Sequence, residues 1–113
     1  MKLLENDKRI EVLKDHIQFY IPTENANKAL EAFVSTVTRI TGGATLHAES
    51  RGLWINNMAY YDEPVKVLEV YCNMNIHSER KLIDAFILFG QMTRQHSVAL
   101  AHNGKMYIME VKR

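Results

Sequence analysis

Between Gly52 and Tyr71 the chain gathers its only tryptophan, Trp54, with Tyr60, Tyr61 and Tyr71 and the carboxylates Asp62, Glu63 and Glu69. Aromatic faces beside carboxylates are a side-chain set that holds small organic cations, because ring quadrupole and negative charge both attract them. The same residues also pack an ordinary half-buried hairpin, so the aromatics fit either role. Glu69 stands between Leu68 and Val70 in an apolar, strand-like run. A carboxylate there requires a counter-charge, an interface or a ligand, and Lys66 or a basic residue across a sheet would supply the first. Asp62 reads as a turn residue, and Glu63 as the last acid before the strand that begins at Pro64 and Val65.

Other chemistries lack their signatures. The chain has no Gly-x-x-x-x-Gly-Lys phosphate loop, no Gly-x-Gly-x-x-Gly and no Cys-x-x-Cys. Its histidines, at 16, 47, 77, 96 and 102, are dispersed, without the local spacing of a metal site. No metal and no cofactor are therefore expected. The single cysteine, Cys72, sits in a Val/Leu/Tyr run with no base beside it, and reads as a packing residue rather than a nucleophile. Gly42-Gly43 follows a helical pattern instead of opening one, which suits a helix end better than an anion cradle.

The elements that would position these residues are legible from periodicity. Ile17, Phe19 and Ile21 alternate with Gln18 and Tyr20 as a strand that Pro22 stops. Thr23 is placed to cap a helix, with Glu24 in its first turn. Ala26, Ala29, Leu30, Phe33, Val34, Val37 and Ile40 then form one helical stripe. Residues 44–55 read as a second strand with Gly52 a bulge, and Asn56-Asn57 open a polar, aromatic-rich link. In the third strand Val65, Val67, Glu69 and Tyr71 share one face, and Lys66, Leu68, Val70 and Cys72 the other. Ser78 reads as the next cap, ahead of a helix with Leu82, Ile83, Phe86, Ile87, Phe89 and Gly90 on its apolar side. Ser97–Ala101 is a short strand, Asn103-Gly104 a tight turn, and Met106–Val111 a closing strand. Residues 1–14 suit a loose arm, a short helix or an edge strand.

The order is β-α-β-β-α-β with a C-terminal hairpin strand, the ferredoxin-like α+β arrangement: an antiparallel sheet with two helices on one face. The expected organisation is an arm at 1–14 and a single domain at 15–113. Trp54, Leu68, Tyr71 and Tyr107 read as too apolar for a solvated sheet face, so a symmetric partner is expected to cover it. With 14 basic and 13 acidic residues, the chain has no general pull toward nucleic acid or anionic membrane. No apolar run approaches the roughly 18 residues of a membrane span. The N-terminus lacks the apolar core of a signal peptide, and one unpaired cysteine suits a reducing cytoplasm.

Three stretches carry a resemblance: Gly52-Leu53-Trp54; Asp62-Glu63-Pro64-Val65-Lys66-Val67; and Gln95-His96-Ser97-Val98-Ala99-Leu100. In them the chain resembles the small phage-encoded S-adenosylmethionine lyases, formerly described as hydrolases. Members carry a glycine followed two places later by an aromatic, an acidic pair leading into a Val-rich strand, and a late Gln-x-x-Val strand. The resemblance implies a PII-like, ferredoxin-like homotrimer with sites between subunits. It implies an intramolecular reaction in which the substrate's carboxylate attacks its own γ-carbon, releasing methylthioadenosine and homoserine lactone. A carboxylate and a tyrosine are the family's usual site groups. Glu63 matches the acidic position, with Glu69 the alternative. The aromatic position holds Trp54, which has no phenol, so Tyr60 or Tyr61 would supply it. Gln95 and Ser97 fall on the late strand as substrate-binding candidates. The alternative is a non-catalytic PII-like module that binds a small ligand or partner. An RNA-binding ferredoxin-like domain fits less well, because the aromatic-rich segment is acidic.

Overall fold

The computed structural model describes residues 1–112, apart from the side chain of Asn56. The chain runs α1 (Lys2–Asn6), β1 (Asp15–Pro22), α2 (Asn27–Thr41), β2 (Thr45–Leu46), β3 (Ser50–Asn56), β4 (Ala59–Cys72), α3 (Ile76–Met92), β5 (Ser97–His102) and β6 (Lys105–Glu110). All six strands join one open sheet, ordered β2-β4-β1-β5-β6, with β3 also paired to β4. Every pairing is antiparallel. This is the expected ferredoxin-like order, its second strand interrupted at 47–49 into β2 and β3.

Alternation along β1 sends Ile17, Phe19 and Ile21 to the helix side, where Leu68 and Val70 of β4 meet them. The stripe of α2 buries Ala29, Leu30, Phe33 and Val37 against that face, and α3 buries Leu82, Phe86, Phe89 and Gly90. All four phenylalanines, Phe19, Phe33, Phe86 and Phe89, meet in one aromatic cluster with ring centroids 5.0–6.2 Å apart. Cys72 is buried in this core and its thiol is pushed up by desolvation, as befits a packing residue.

Both helix starts differ from the sequence expectation. Thr23 donates its hydroxyl to Glu49 Oε1 at 2.7 Å, and Asn25 takes a left-handed φ of 57°, so α2 begins only at Asn27. Asn75, not Ser78, caps α3. Its Oδ1 accepts from Ser78 N–H at 2.9 Å, while the Ser78 hydroxyl accepts from Asn75 N–H at 2.9 Å, closing a capping box. Gly42 ends α2 at φ 90°, and Asn103-Gly104 turns with φ of 48° and 84°, both as expected.

The largest departure lies at the hairpin. No polar link separates the second and third strands. β4 runs from Ala59, so Tyr60, Tyr61, Asp62 and Glu63 are strand residues, and the turn is only Asn57-Met58, both at positive φ. β1 pairs with β4 from Val65 onward, so the hairpin from Gly52 to Pro64 projects past the rest of the sheet. The molecule measures 50 × 24 × 24 Å. Residues 2–6 form the short helix α1 and carry no buried residue. Leu68 and Tyr107 lie on the helix side, not on the open face: Leu68 is fully buried, and Tyr107 pairs with Leu100, the partner of Phe19. The open face instead presents Tyr71, Met106 and Ile108, each more than half exposed.

Candidate functional site

Strand alternation decides which candidate residues share a side. Tyr61, Glu63, Val65, Val67, Glu69 and Tyr71 follow one face of β4 at a period of two. Across the hairpin, Trp54 pairs with Tyr61 and Gly52 with Glu63. The Trp54 and Tyr61 rings stack, with centroids 6.0 Å apart and planes 15° apart. Tyr60 falls on the opposite face, and Asp62 beside it pairs with Arg51 of β3. The Arg51 guanidinium holds the Asp62 carboxyl below its ordinary range. Asp62 is thus a strand residue in an exposed ion pair, not a turn residue.

Glu63 lines a cavity of about 340 Å³ with Glu24, Arg94 and Gln95. Burial raises its carboxyl pKa, and the negative charge of Glu24 adds to the effect. Gln95 arrives there because α3 ends in a left-handed Arg94, φ 57°, whose next N–H returns to the Gly90 carbonyl at 2.9 Å. The structure therefore brings Glu63 and Gln95 to one cavity and Trp54 and Tyr61 to the same hairpin face. Ser97 does not join them: it is exposed, pairs with Glu110 and lies outside the cavity lining.

Glu69 occupies a different place, six residues along β4 from Glu63 and so about 20 Å away at ~3.3 Å per residue. Its hydrogen-bond partner is not Lys66, which lies on the other face. His16 Nε2 stands 2.7 Å from Glu69 Oε2, and His47 Nε2 stands 3.0 Å from Oε1. The imidazole of His16 also stacks on the Tyr71 ring at 4.3 Å. The two histidine hydrogen bonds lower the Glu69 carboxyl pKa. Along the chain these histidines are dispersed. The signal available was register: in an antiparallel pair Gln18 faces Glu69, which puts His16 diagonal to it on the same side.

Among the described residues no three His, Cys, Asp or Glu groups are arranged to hold a metal ion. Among the same residues no helix is long and apolar enough to cross a membrane.

No family model matches the chain, and no curated protein sequence matches it. Solved structures do. A phage SAM lyase in complex with S-methyl-5'-thioadenosine superposes with a TM-score of 0.70 at 11% identity, over 91% of this chain and 94% of that one. A phage SAM lyase in its apo state gives 0.68 at 11% identity, over 95% and 97%. CutA from Pyrococcus horikoshii gives 0.50 at 11% identity, over 88% and 86%. At this identity the likeness is one of fold. The chain has the ferredoxin-like fold of the phage S-adenosylmethionine lyases, shared with CutA.

Proposed function

We propose that this chain is an S-adenosylmethionine lyase, a cytoplasmic enzyme of phage origin. It cleaves S-adenosylmethionine to methylthioadenosine and homoserine lactone. The observation that carries the reading is the superposition, across 91% of the chain, on a phage SAM lyase holding methylthioadenosine.

The proposed chemistry is spare. An oxygen of the substrate's carboxylate forms a bond to the γ-carbon. The carbon–sulfur bond breaks, and its electron pair converts the sulfonium to a neutral thioether. No proton has to move, so the protein's task is to hold the reacting ends together and to meet the changing charge. Glu63 is the proposed partner of the substrate's ammonium or ribose end, with Gln95 across the same cavity. Tyr61, stacked on Trp54 and on the Glu63 face, takes the phenol role. Tyr60 faces the other way and leaves it.

The cavity beside Glu63 is open, and the hairpin beside it exposes Leu53, Ile55 and Met58, the last at 97%. We assign these apolar groups to a partner subunit in a homotrimer that closes the site. The purified protein incubated with S-adenosylmethionine is expected to yield methylthioadenosine and homoserine lactone by mass spectrometry. Tight binding without product would support a binding module instead.

A further inference from the structure

Gly90 decides how α3 lies on the sheet. A β-carbon there would stand 2.6 Å from Cγ2 of Val111 and 3.1 Å from Cγ1 of Val98, so the end of α3 presses closely on β5 and on the chain that follows β6. The start of α3 does not press so closely. Between its first turns and strands β1, β5 and β6 lies a cavity of about 160 Å³. Register fixes which strand residues face that space. Ile17 pairs with His102, Phe19 with Leu100, and Leu100 with Tyr107, while Met109 follows Tyr107 by two. Paired residues share a face, and Ile17 and Phe19 are buried beneath the helices, so all six belong to the helix side. Leu82 and Ile83 of α3 stand across from them.

The lining is apolar at its floor and polar only toward its edge. Ile17, Phe19 and Leu82 are buried, whereas Glu79 and Tyr107 are exposed and mark the mouth. One end wall is fixed by hydrogen bonds. His102 Nε2 lies 2.8 Å from Asp15 Oδ1, and Asp15 Oδ2 accepts the Met74 N–H at 2.8 Å. A buried water needs about two to four polar partners, and the floor side chains supply none. An apolar cavity of about 150 Å³ is large enough to hold benzene. The wall adds the thioethers of Met74 and Met109 and the rings of Phe19 and Tyr107. Sulfur and ring edges both favour an aromatic ring over an alkyl group of equal size. The carboxylate of Glu79 at the mouth disfavours an anion.

We propose that this cavity is a ligand site for a neutral monocyclic aromatic compound, one ring in size. The ring enters between Glu79 and Tyr107 and packs on Ile83, Leu100 and the two thioethers. The site shares no residue with the Glu63 cavity. It does not depend on the lyase reading.

The test titrates the full chain with phenol, cyclohexanol and benzoate, followed by NMR of the methyl groups. Phenol is expected to shift the signals of Met74, Met109, Ile83 and Leu100 saturably, while those of Met58 and Met92, outside the lining, stay still. Cyclohexanol matches its size without a π face and is expected to bind about two- to tenfold more weakly, the order of the lost sulfur–ring contacts. Benzoate is expected to bind about tenfold more weakly or worse, since a charge must be desolvated. Ile83→Phe puts a ring of its own into the cavity and is expected to weaken phenol binding about tenfold or more. Leu100→Phe does the same from the sheet side, and serves if Ile83→Phe does not fold. Loss of affinity in either folded variant supports the site. Should neither fold, the methyl map and the three-probe comparison on the unaltered chain decide. The proposal is overturned by the absence of saturable shifts at the lining methyls, by equal shifts at Met58 and Met92, by cyclohexanol or benzoate binding as tightly as phenol, or by unchanged phenol affinity in the folded variants.

Discussion

The indole of Trp54 rests on the bare backbone of Gly52. A β-carbon at position 52 would stand 2.9 Å from Cζ3 of Trp54 and 2.7 Å from Cγ2 of Val65. Glycine two places before an aromatic therefore has a physical meaning on this strand. Both residues face the same side, and the missing side chain is the space the ring occupies. Gly52→Ala should displace the ring or the buried Val65, and is expected to destabilise the fold by about 1–3 kcal/mol, the usual cost of overpacking. Thermal unfolding measures it. An unchanged midpoint would show that the ring is not seated there.

Trp54 also stacks on Tyr61, so its packing and ligand roles need separating. Trp54→Phe keeps most apolar area. If Trp54 faces substrate, affinity should fall by about 0.5–2 kcal/mol with little change in melting temperature. If it only packs, stability should fall by under about 1.5 kcal/mol while affinity holds. Tyr61→Phe should lower turnover and Tyr60→Phe should not, because alternation turns Tyr60 to the opposite face. Equal turnover in all three variants would move the site off the hairpin.

Glu63 joins a functional expectation to an opposite stability expectation. Its folded pKa is raised above the ordinary 4.5 by burial and then by Glu24, so the ionised form is the less comfortable one. That penalty is full above the folded pKa and fades as pH falls through it. Glu63→Gln should therefore be as stable as the wild type or more so at pH 7, with any gain vanishing below pH ~4.5. Its turnover should drop by one to three orders of magnitude, roughly 1.4–4 kcal/mol. A variant that loses stability and keeps activity would mark Glu63 as a structural residue.

Asp15 has the other sign. Its carboxylate accepts the Met74 N–H at 2.8 Å and a bond from His102 Nε2 at 2.8 Å, tying the start of β1 to the β4–α3 loop and the end of β5. The Met74 bond and then His102 lower its folded pKa below the ordinary 3.8. Its stabilisation is thus complete above pH ~4 and is lost as pH falls through the lowered folded value. Asp15→Asn should cost roughly 1–2 kcal/mol at pH 7. The gap from wild type in denaturant titrations should close toward pH 2, and a gap that widened on acidification would contradict the assignment.

The elements that bury one face were legible from their periodicity, and the start of the projecting hairpin strand was not. Ala29, Leu30, Phe33 and Val37 pack the core at helical spacing, so their periodicity is written in the chain. Tyr60 to Pro64 lie on a hairpin past the end of β1, with no core below to impose apolar–polar alternation, and so read as a link. Asn75 and Ser78 have the same capping chemistry, and only the reciprocal bond between them tells which is the cap. Glu69 was visible as a carboxylate out of place. Its partners His16 and His47 come from 53 and 22 residues away, distances that only sheet register spans.

The proposed assembly would use the same exposed surfaces. Leu53, Ile55, Met58, Met106 and Ile108 are each more than half exposed on the hairpin and the open sheet face. Light scattering at micromolar concentration should report about three times the 13.1 kDa chain. A monomer across that range would leave the Glu63 cavity without the partner proposed to close it.

The most direct measurement is the fate of S-adenosylmethionine in water enriched in oxygen-18. Intramolecular attack forms the new carbon–oxygen bond from the substrate's own carboxylate. The account therefore predicts methylthioadenosine together with homoserine lactone that carries no label when first formed. Homoserine bearing oxygen-18 on its γ-carbon would mean that water was the nucleophile. That product, or the absence of methylthioadenosine from a folded and assembled protein, would contradict the lyase reading.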